Sequence, residues 1–245
     1  PRRTAPDGNT YTSVLKTVGD SFTEKSLNLR SNVIEAATIA PATEEEIAAT
    51  VKVMGGEDWM LWIDALKEAD VLAPNAITLA YSYIGPELTY PVYNNGTIGM
   101  AKKHLYQTSL DINTKYPDVK ALISVNKALV TQASAAIPIV PLYIAIMYKV
   151  MKKAGVHEGC IEQIDRLFLE KYQNGQFQTD ESGQIRMDDW EMRNDIQAEI
   201  MKCWNIVDNE NLHTLTDIDG YWEDFYHMFG FRFDDIDYSA DVEIL

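Results

Sequence analysis

Cysteine is nearly absent: Cys160 and Cys203 are the only two in 245 residues, each alone in its segment. That excludes a disulfide framework and suits a reducing compartment. Long hydrophobic runs are missing too. The longest, Ala133 to Met147, covers fifteen residues and is interrupted by Pro138 and Pro141, whereas a membrane span needs roughly twenty, so a soluble protein is expected. Basic residues are scarce, with 21 Lys and Arg against 37 Asp and Glu and a net charge of -16. A surface for nucleic acid or anionic lipid is therefore not expected. The four histidines, His104, His157, His213 and His227, have no partner at metal-ligand spacing, and no metal site is expected. Asp217-Ile218-Asp219-Gly220 is too short for an EF-hand loop, no Gly-x-Ser-x-Gly elbow occurs, and no internal repeat is visible. Nor is there a Gly-x-Gly-x-x-Gly turn to hold a pyrophosphate.

What is present is apolar material for a sizeable core, 46% of the residues, and one stretch dense in chemistry, Ile77 to Lys103. Ile77 to Tyr81 suits a buried strand. Gly85-Pro86, Pro91 and Asn94-Asn95-Gly96 are turn residues, and Thr97 can cap a helix carrying Met100, Lys102, Lys103 and Leu105. Tyr83 then leaves a strand end, Tyr93 sits on the loop and Lys102 returns on the helix. In an open α/β sheet that rim is where ligands bind. An ammonium roughly 4 Å from a phenol, at an effective dielectric near 20, favours the phenolate by about 4 kcal/mol before desolvation. A downward shift of one or two units in Tyr93, towards general acid catalysis, is the expectation.

Tyr93, eight intervening residues and Lys102 match the Tyr-x8-Lys motif of the trans-2-enoyl-CoA reductases and the related FabV-type enoyl-ACP reductases, an enlarged branch of the short-chain dehydrogenase fold. The segments YSYIGPELTYPVY (81–93), GTIGMAKKHL (96–105), VMGGEDW (53–59), SVNKALVTQASAAIP (124–138) and HEGCIEQI (157–164) resemble that family as well. The resemblance implies a doubly wound, parallel Rossmann-type α/β sheet and reduction of the 2,3 double bond of trans-2-enoyl-CoA, or its acyl-carrier-protein counterpart, by NADH, with NADPH left open. It implies Tyr93 as proton donor, Lys102 as the cofactor contact, Tyr83 at the substrate carbonyl, and Leu129, Val130 and Thr131 against the nicotinamide half. It also suggests an acyl-chain wall from the apolar helix after Pro138, with Ile137 and Leu142 facing substrate. Because the family's glycine-rich loop lies before the segment matched here, residues 1–245 are expected to be the C-terminal part of one enlarged reductase domain. The missing N-terminal nucleotide-binding segment would be the partner, in a monomer or homodimer. The compartment implied is the cytoplasm of a bacterium or the mitochondrial matrix of a eukaryote.

Elsewhere, short β-prone stretches at 11–18, 21–29 and 33–39 predict a small antiparallel β-subregion within 7–41. Thr43 and Glu46 form a capping box for a helix ending at Gly55-Gly56, and Asp58 is placed to cap the next, with Trp59, Trp62, Ile63 and Leu66 on a core face. A helix reaches Lys115, and a strand is expected over Ala121–Val130 with Thr131 at its end. Residues 137–151 read as an apolar helix, and Lys149, Lys152 and Lys153 suit its C-terminus, or the phosphates of CoA. From 156 on a helical extension is expected, with an exposed loop or hairpin at 172–185, a helical stripe from Trp190 to Trp204 and an acidic end at 234–243. Two other readings stay open: a carbonyl-reducing dehydrogenase using the same Tyr/Lys pair, and a non-catalytic acyl-CoA-binding or structural module.

Overall fold

The computed structural model describes residues 1–241. β1 (Arg2–Thr4) and β2 (Thr10–Thr12) pair antiparallel, and β3 (Phe22–Asn28) with β4 (Val33–Ile39) makes a second two-stranded sheet. α1 (Glu44–Met54) starts at the capping box: the Thr43 hydroxyl accepts from the Glu46 amide while the Glu46 carboxylate accepts from the Thr43 amide. α2 (Glu57–Glu68) starts differently from expectation. Gly56 is its N-cap, and Asp58 lies inside the first turn, where it pairs with Arg3. Only Ile63 of α2 is buried; Trp62 is 66% exposed, because Trp59, Met60 and Ile63 suffice to face the neighbouring helix and sheet.

The strand predicted over Ile77–Tyr81 is present as β5 (Ala76–Ser82), but it is half-buried rather than buried, with Tyr81 55% exposed; α3 (Thr97–Lys115) and β6 (Val119–Val125) follow. β6 is shorter than the Ala121–Val130 strand expected, and Thr131 is not its end. The backbone after Val125 turns to other partners: the Asn126 amide donates to Ser82 O, and Lys127 and Ala128 are held by the side chains of Gln163 and Glu191. Next come α4 (Val140–Lys153), α5 (Cys160–Arg166) running into a π-helical turn at Leu167–Lys171, and a hairpin of β7 (Tyr172–Gln173) and β8 (Gln176–Phe177). Asn174 and Gly175, both at positive φ, make its two-residue turn. β9 (Ile185–Arg186) was not anticipated; it adds to β6 in parallel and gives the order β5-β6-β9. α6 (Asn194–Ile206), α7 (Leu212–Leu215) and α8 (Ile218–His227) follow. The helical stripe thus begins four residues later than Trp190. Of the acidic end, residues 242 and 243 lie outside the described residues.

The chain divides into two units. The first comprises Pro1–Glu24, Ala37–Ala128 and Glu158–Arg193. It holds the parallel sheet, and alternation along the strands builds a core on each face. Val119 and Ala121 of β6 pack with Ile63 and Ile112, whereas Leu122 joins Ile77 and Leu79 of β5 against Leu167, Phe177, Ile185 and Met187.

The second unit comprises Lys25–Ala36, Leu129–His157 and Asn194–Leu245. Its centre is α4, buried over Val140–Tyr148 without a break. Ile139, at its N-cap, has φ 75°, a strained setting for a β-branched residue. The buried hydroxyls on this helix have polar partners: Tyr143 accepts from Gln197 Nε2 at 3.1 Å and Tyr148 donates to Asp224 Oδ2 at 2.7 Å. Lys152, in the last turn, pairs with Asp217 at 2.6 Å.

Candidate active site

Tyr83 leaves the C-terminal end of β5, just past Ser82, and the chain reverses through Gly85 at φ 79°. A Cβ at Gly85 would come within 2.9 Å of the Tyr83 hydroxyl, so glycine lets this ring lie back along its own loop. A 3-10 turn at Glu87–Thr89 leads to Tyr93, and Asn94 folds tightly over the start of α3, where a Cβ on Gly99 would overlap the Asn94 carbonyl. Thr97 does not cap this helix. Gly96 is the N-cap, and Thr97, its first residue, donates its hydroxyl to Val14 O at 2.6 Å, tying the helix start to the segment after β2.

These turns bring the three predicted residues together. The Tyr83 and Tyr93 rings meet edge to face at 5.2 Å, and Lys102 Nζ lies 4.7 Å from the Tyr93 ring centroid and 6.0 Å from that of Tyr83. Lys102 Nζ donates to Tyr83 O and, at 3.3 Å, to Ser82 Oγ. It addresses the ring faces and the strand-end backbone rather than the Tyr93 hydroxyl.

That geometry reverses the electrostatic expectation. Burial pushes the Tyr93 phenol up to about 12 and the Lys102 ammonium down to about 7. Loss of hydration disfavours the phenolate and the ammonium alike, and with no direct bond between them their attraction does not offset it. Tyr93 is a neutral phenol at physiological pH, and Lys102 exchanges its proton near neutrality.

One residue at this site had no signal in the sequence. Glu191, fully buried, accepts the Tyr83 hydroxyl at Oε1 (3.0 Å) and the Ala128 amide at Oε2 (2.7 Å). It lies 108 residues from Tyr83 in the chain, beyond the reach of any local spacing argument. The other predicted residues belong to the second unit. Leu129–Thr131 form a tight turn in which the Thr131 amide donates to Ser134 Oγ and the Ser134 hydroxyl donates to Leu129 O, with Val130 buried and Thr131 exposed. Ile137 is half-buried, and Leu142 is fully buried in α4.

A cavity of about 490 Å³ opens where β5 and β6 begin, lined by Asn75, Ile77, Val119 and Lys120 among others. This is the end of the sheet away from the tyrosine pair; ligands of open parallel sheets sit at the C-terminal rim, which Tyr83 and Lys102 occupy. Among the described residues no group of three or more His, Cys, Asp or Glu is arranged to hold a metal ion, and no helix is long and apolar enough to cross a membrane.

Residues 1–172 match the family model described as the trans-2-enoyl-CoA reductase catalytic region. The chain belongs to the trans-2-enoyl-CoA reductase family. It is 55% identical over 247 residues to the trans-2-enoyl-CoA reductase (NADH) of Clostridium perfringens, covering 100% of this chain and 63% of that protein. It is 53% identical to the enoyl-acyl-carrier-protein reductase (NADH) of Flavobacterium johnsoniae, over 99% of this chain and 62% of that one. The crystal structure of Treponema denticola trans-2-enoyl-CoA reductase in complex with NAD superposes with a TM-score of 0.96 at 48% identity, over 100% of this chain and 63% of that chain. The chain thus spans a little under two thirds of these reductases. Residues 179–242 match a second model, described as the enoyl reductase FAD binding domain. The described part of that stretch does not fit a flavin pyrophosphate at the α8 N-terminus, because Asp217 caps it with its own carboxylate and Gly220 is packed against that group.

Proposed function

We propose that this chain carries the proton-donating and cofactor-contacting residues of a reductase that saturates the 2,3 double bond of a trans-2-enoyl thioester with NADH. The grouping of Tyr83, Tyr93 and Lys102 at the C-terminal rim of a parallel sheet is the observation that supports it most, in a chain about half identical to reductases named for NADH. In this reading the sheet is the C-terminal part of a doubly wound, short-chain-dehydrogenase-like domain, and 156–245 is its helical extension.

The polar groups at the rim fit the nicotinamide and ribose end of NADH: one ammonium near its titration point and two phenols. Nothing among them fits two phosphates. Lys102 would contact the cofactor. NADH, when bound, supplies the hydride for the β-carbon. Tyr93, kept protonated by burial, holds the proton that the α-carbon must receive and donates a hydrogen bond to the charge that develops on the thioester oxygen. Its phenolate, once formed, is stabilised by the Lys102 ammonium beside the ring.

The test is NADH consumption by the complete gene product with crotonyl-CoA, an enoyl-acyl-carrier protein and a β-ketoacyl-CoA. Turnover on the enoyl thioesters is expected. Turnover on the ketoacyl substrate alone would make the protein a carbonyl reductase, and NADH binding without any turnover would leave only a binding module.

A further inference from the structure

The segment that carries Glu191 is held more firmly than a loop needs to be. Arg166, itself 5% exposed, donates to Glu158 at 2.8 and 2.7 Å, to Asp189 Oδ1 at 2.9 Å and to Met187 O at 2.7 Å, and its guanidinium lies 4.2 Å from the Trp190 ring centroid. Lys171 adds a second bond to Asp189 at 2.6 Å, and the Met187 and Asp188 amides both donate to Val125 O, the last residue of β6. A buried cation therefore fixes residues 187–190 from three sides, and the next side chain along is the carboxylate that takes the Tyr83 hydrogen. The other oxygen of that carboxylate takes the Ala128 amide, in a turn fixed by Gln163 Oε1 accepting from the Lys127 amide at 2.9 Å and by Lys127 Nζ donating to Ala128 O at 2.8 Å.

A hydroxyl has one hydrogen. With it committed to Glu191, Tyr83 offers a bound ligand only lone pairs, whereas no side-chain hydrogen bond claims the Tyr93 hydroxyl among the described residues. Two phenols whose ring centroids lie 5.2 Å apart are thus unequal in chemistry. We propose that Glu191 is a positioning residue that assigns the tyrosine pair its roles, holding Tyr83 as a hydrogen-bond acceptor and leaving Tyr93 as the one donor to the substrate oxygen. This rests on the enoyl-thioester reading and deepens it, because it decides which of two candidate phenols delivers the proton. The clamp at Arg166 supplies what such a role needs: a carboxylate that does not relax towards the crevice when substrate arrives.

Glu191→Gln tests the assignment with almost no change of shape. The amide can still accept from Ala128, but its nitrogen now donates to the Tyr83 oxygen and releases the tyrosine hydrogen to compete with Tyr93. In the complete gene product labelled with 13Cζ-tyrosine, the resonance lost in Tyr83→Phe should move upfield in Glu191→Gln. With crotonyl-CoA, Glu191→Gln is expected to lower kcat about tenfold with little change in KM for NADH, and to have no further effect in the Tyr83→Phe background. Tyr83→Phe should keep far more turnover than Tyr93→Phe. An unmoved resonance overturns the proposal, as does a Glu191→Gln loss that persists without the Tyr83 hydroxyl. If Glu191→Gln does not fold, equal losses in the two Tyr→Phe variants overturn it without that variant. A wild type inert towards enoyl thioesters would sink the function reading instead, while the resonance would still report whether Glu191 holds Tyr83.

Discussion

In α4 the Tyr148 hydroxyl donates to Asp224 at 2.7 Å, whereas at the β5 rim nothing among the described side chains accepts the hydrogen of Tyr93. Burial raises both phenols above their ordinary value, and at Tyr148 the neighbouring Asp224 charge raises it further. The two regions therefore bury the same group to different ends. A tyrosine whose hydrogen is given to a carboxylate in the core is a structural cross-link, because breaking it leaves an unsatisfied acceptor. A tyrosine half-buried beside a lysine, with its hydrogen uncommitted, keeps its proton past neutral pH and has it available for a ligand. Burial and an elevated pKa do not separate the two cases; the partner of the hydroxyl does.

The largest effect expected from this contrast is at Tyr93. Tyr93→Phe in the complete gene product should reduce kcat on crotonyl-CoA by about 10² to 10⁴, the usual worth of a general acid, with NADH affinity measured by fluorescence titration nearly unchanged. Near-normal turnover would break the comparison at once. Lys102→Ala should lose both NADH affinity and rate. In the unaltered protein, kcat/KM for NADH is expected to fall as pH rises through about 7, where Lys102 gives up its charge; a flat profile across neutrality would remove the ammonium from cofactor binding.

The same lysine makes a stability prediction with a definite sign. Its folded value near 7 lies below the unfolded value of about 10.4, so between those limits the unfolded chain binds more protons and stability rises with pH. Below about 7 the cost of the buried ammonium is fully present. Lys102→Met should flatten this rise in urea titrations between pH 7 and the alkaline limit, and an equal slope in both proteins would contradict it.

Tyr148→Phe should behave in the opposite way to Tyr93→Phe, costing about 1 to 3 kcal/mol of stability by leaving Asp224 without its donor while kcat stays within a small factor. A large loss of turnover with unchanged stability would erase the distinction between the two tyrosines. Smallest is Thr43→Ala, which touches neither hydroxyl. Loss of its capping box should cost about 1 kcal/mol with full activity, and serves as the baseline against which the Tyr148 effect is read.

Several elements were legible in the sequence because their causes are local. The Thr43/Glu46 box, the apolar run of β5, the end of α3 ahead of Pro117 and the turn at Asn174-Gly175 each depend on residues a few positions apart. The Tyr93/Lys102 pair was legible for the same reason, since one loop and one helical turn join them. Thr97 and Asp58 mislead because a good capping residue has other uses: Val14 O and Arg3 compete for them and win. The overlong β6 misleads because apolar residues resume at Ala128–Val130, but the groups that satisfy the backbone of Lys127 and Ala128 come from Gln163 and Glu191, far along the chain.

What the sequence determined by itself is which side chains share the β5 rim, because chain connectivity alone brings Tyr83, Tyr93 and Lys102 within one loop and one helix. What only the tertiary structure decided is their protonation and their direction of hydrogen bonding. Both depend on how much water the fold removes and on a carboxylate 108 residues away, and a charge or a donor acquires its chemistry from all its neighbours in space, most of which are distant in sequence.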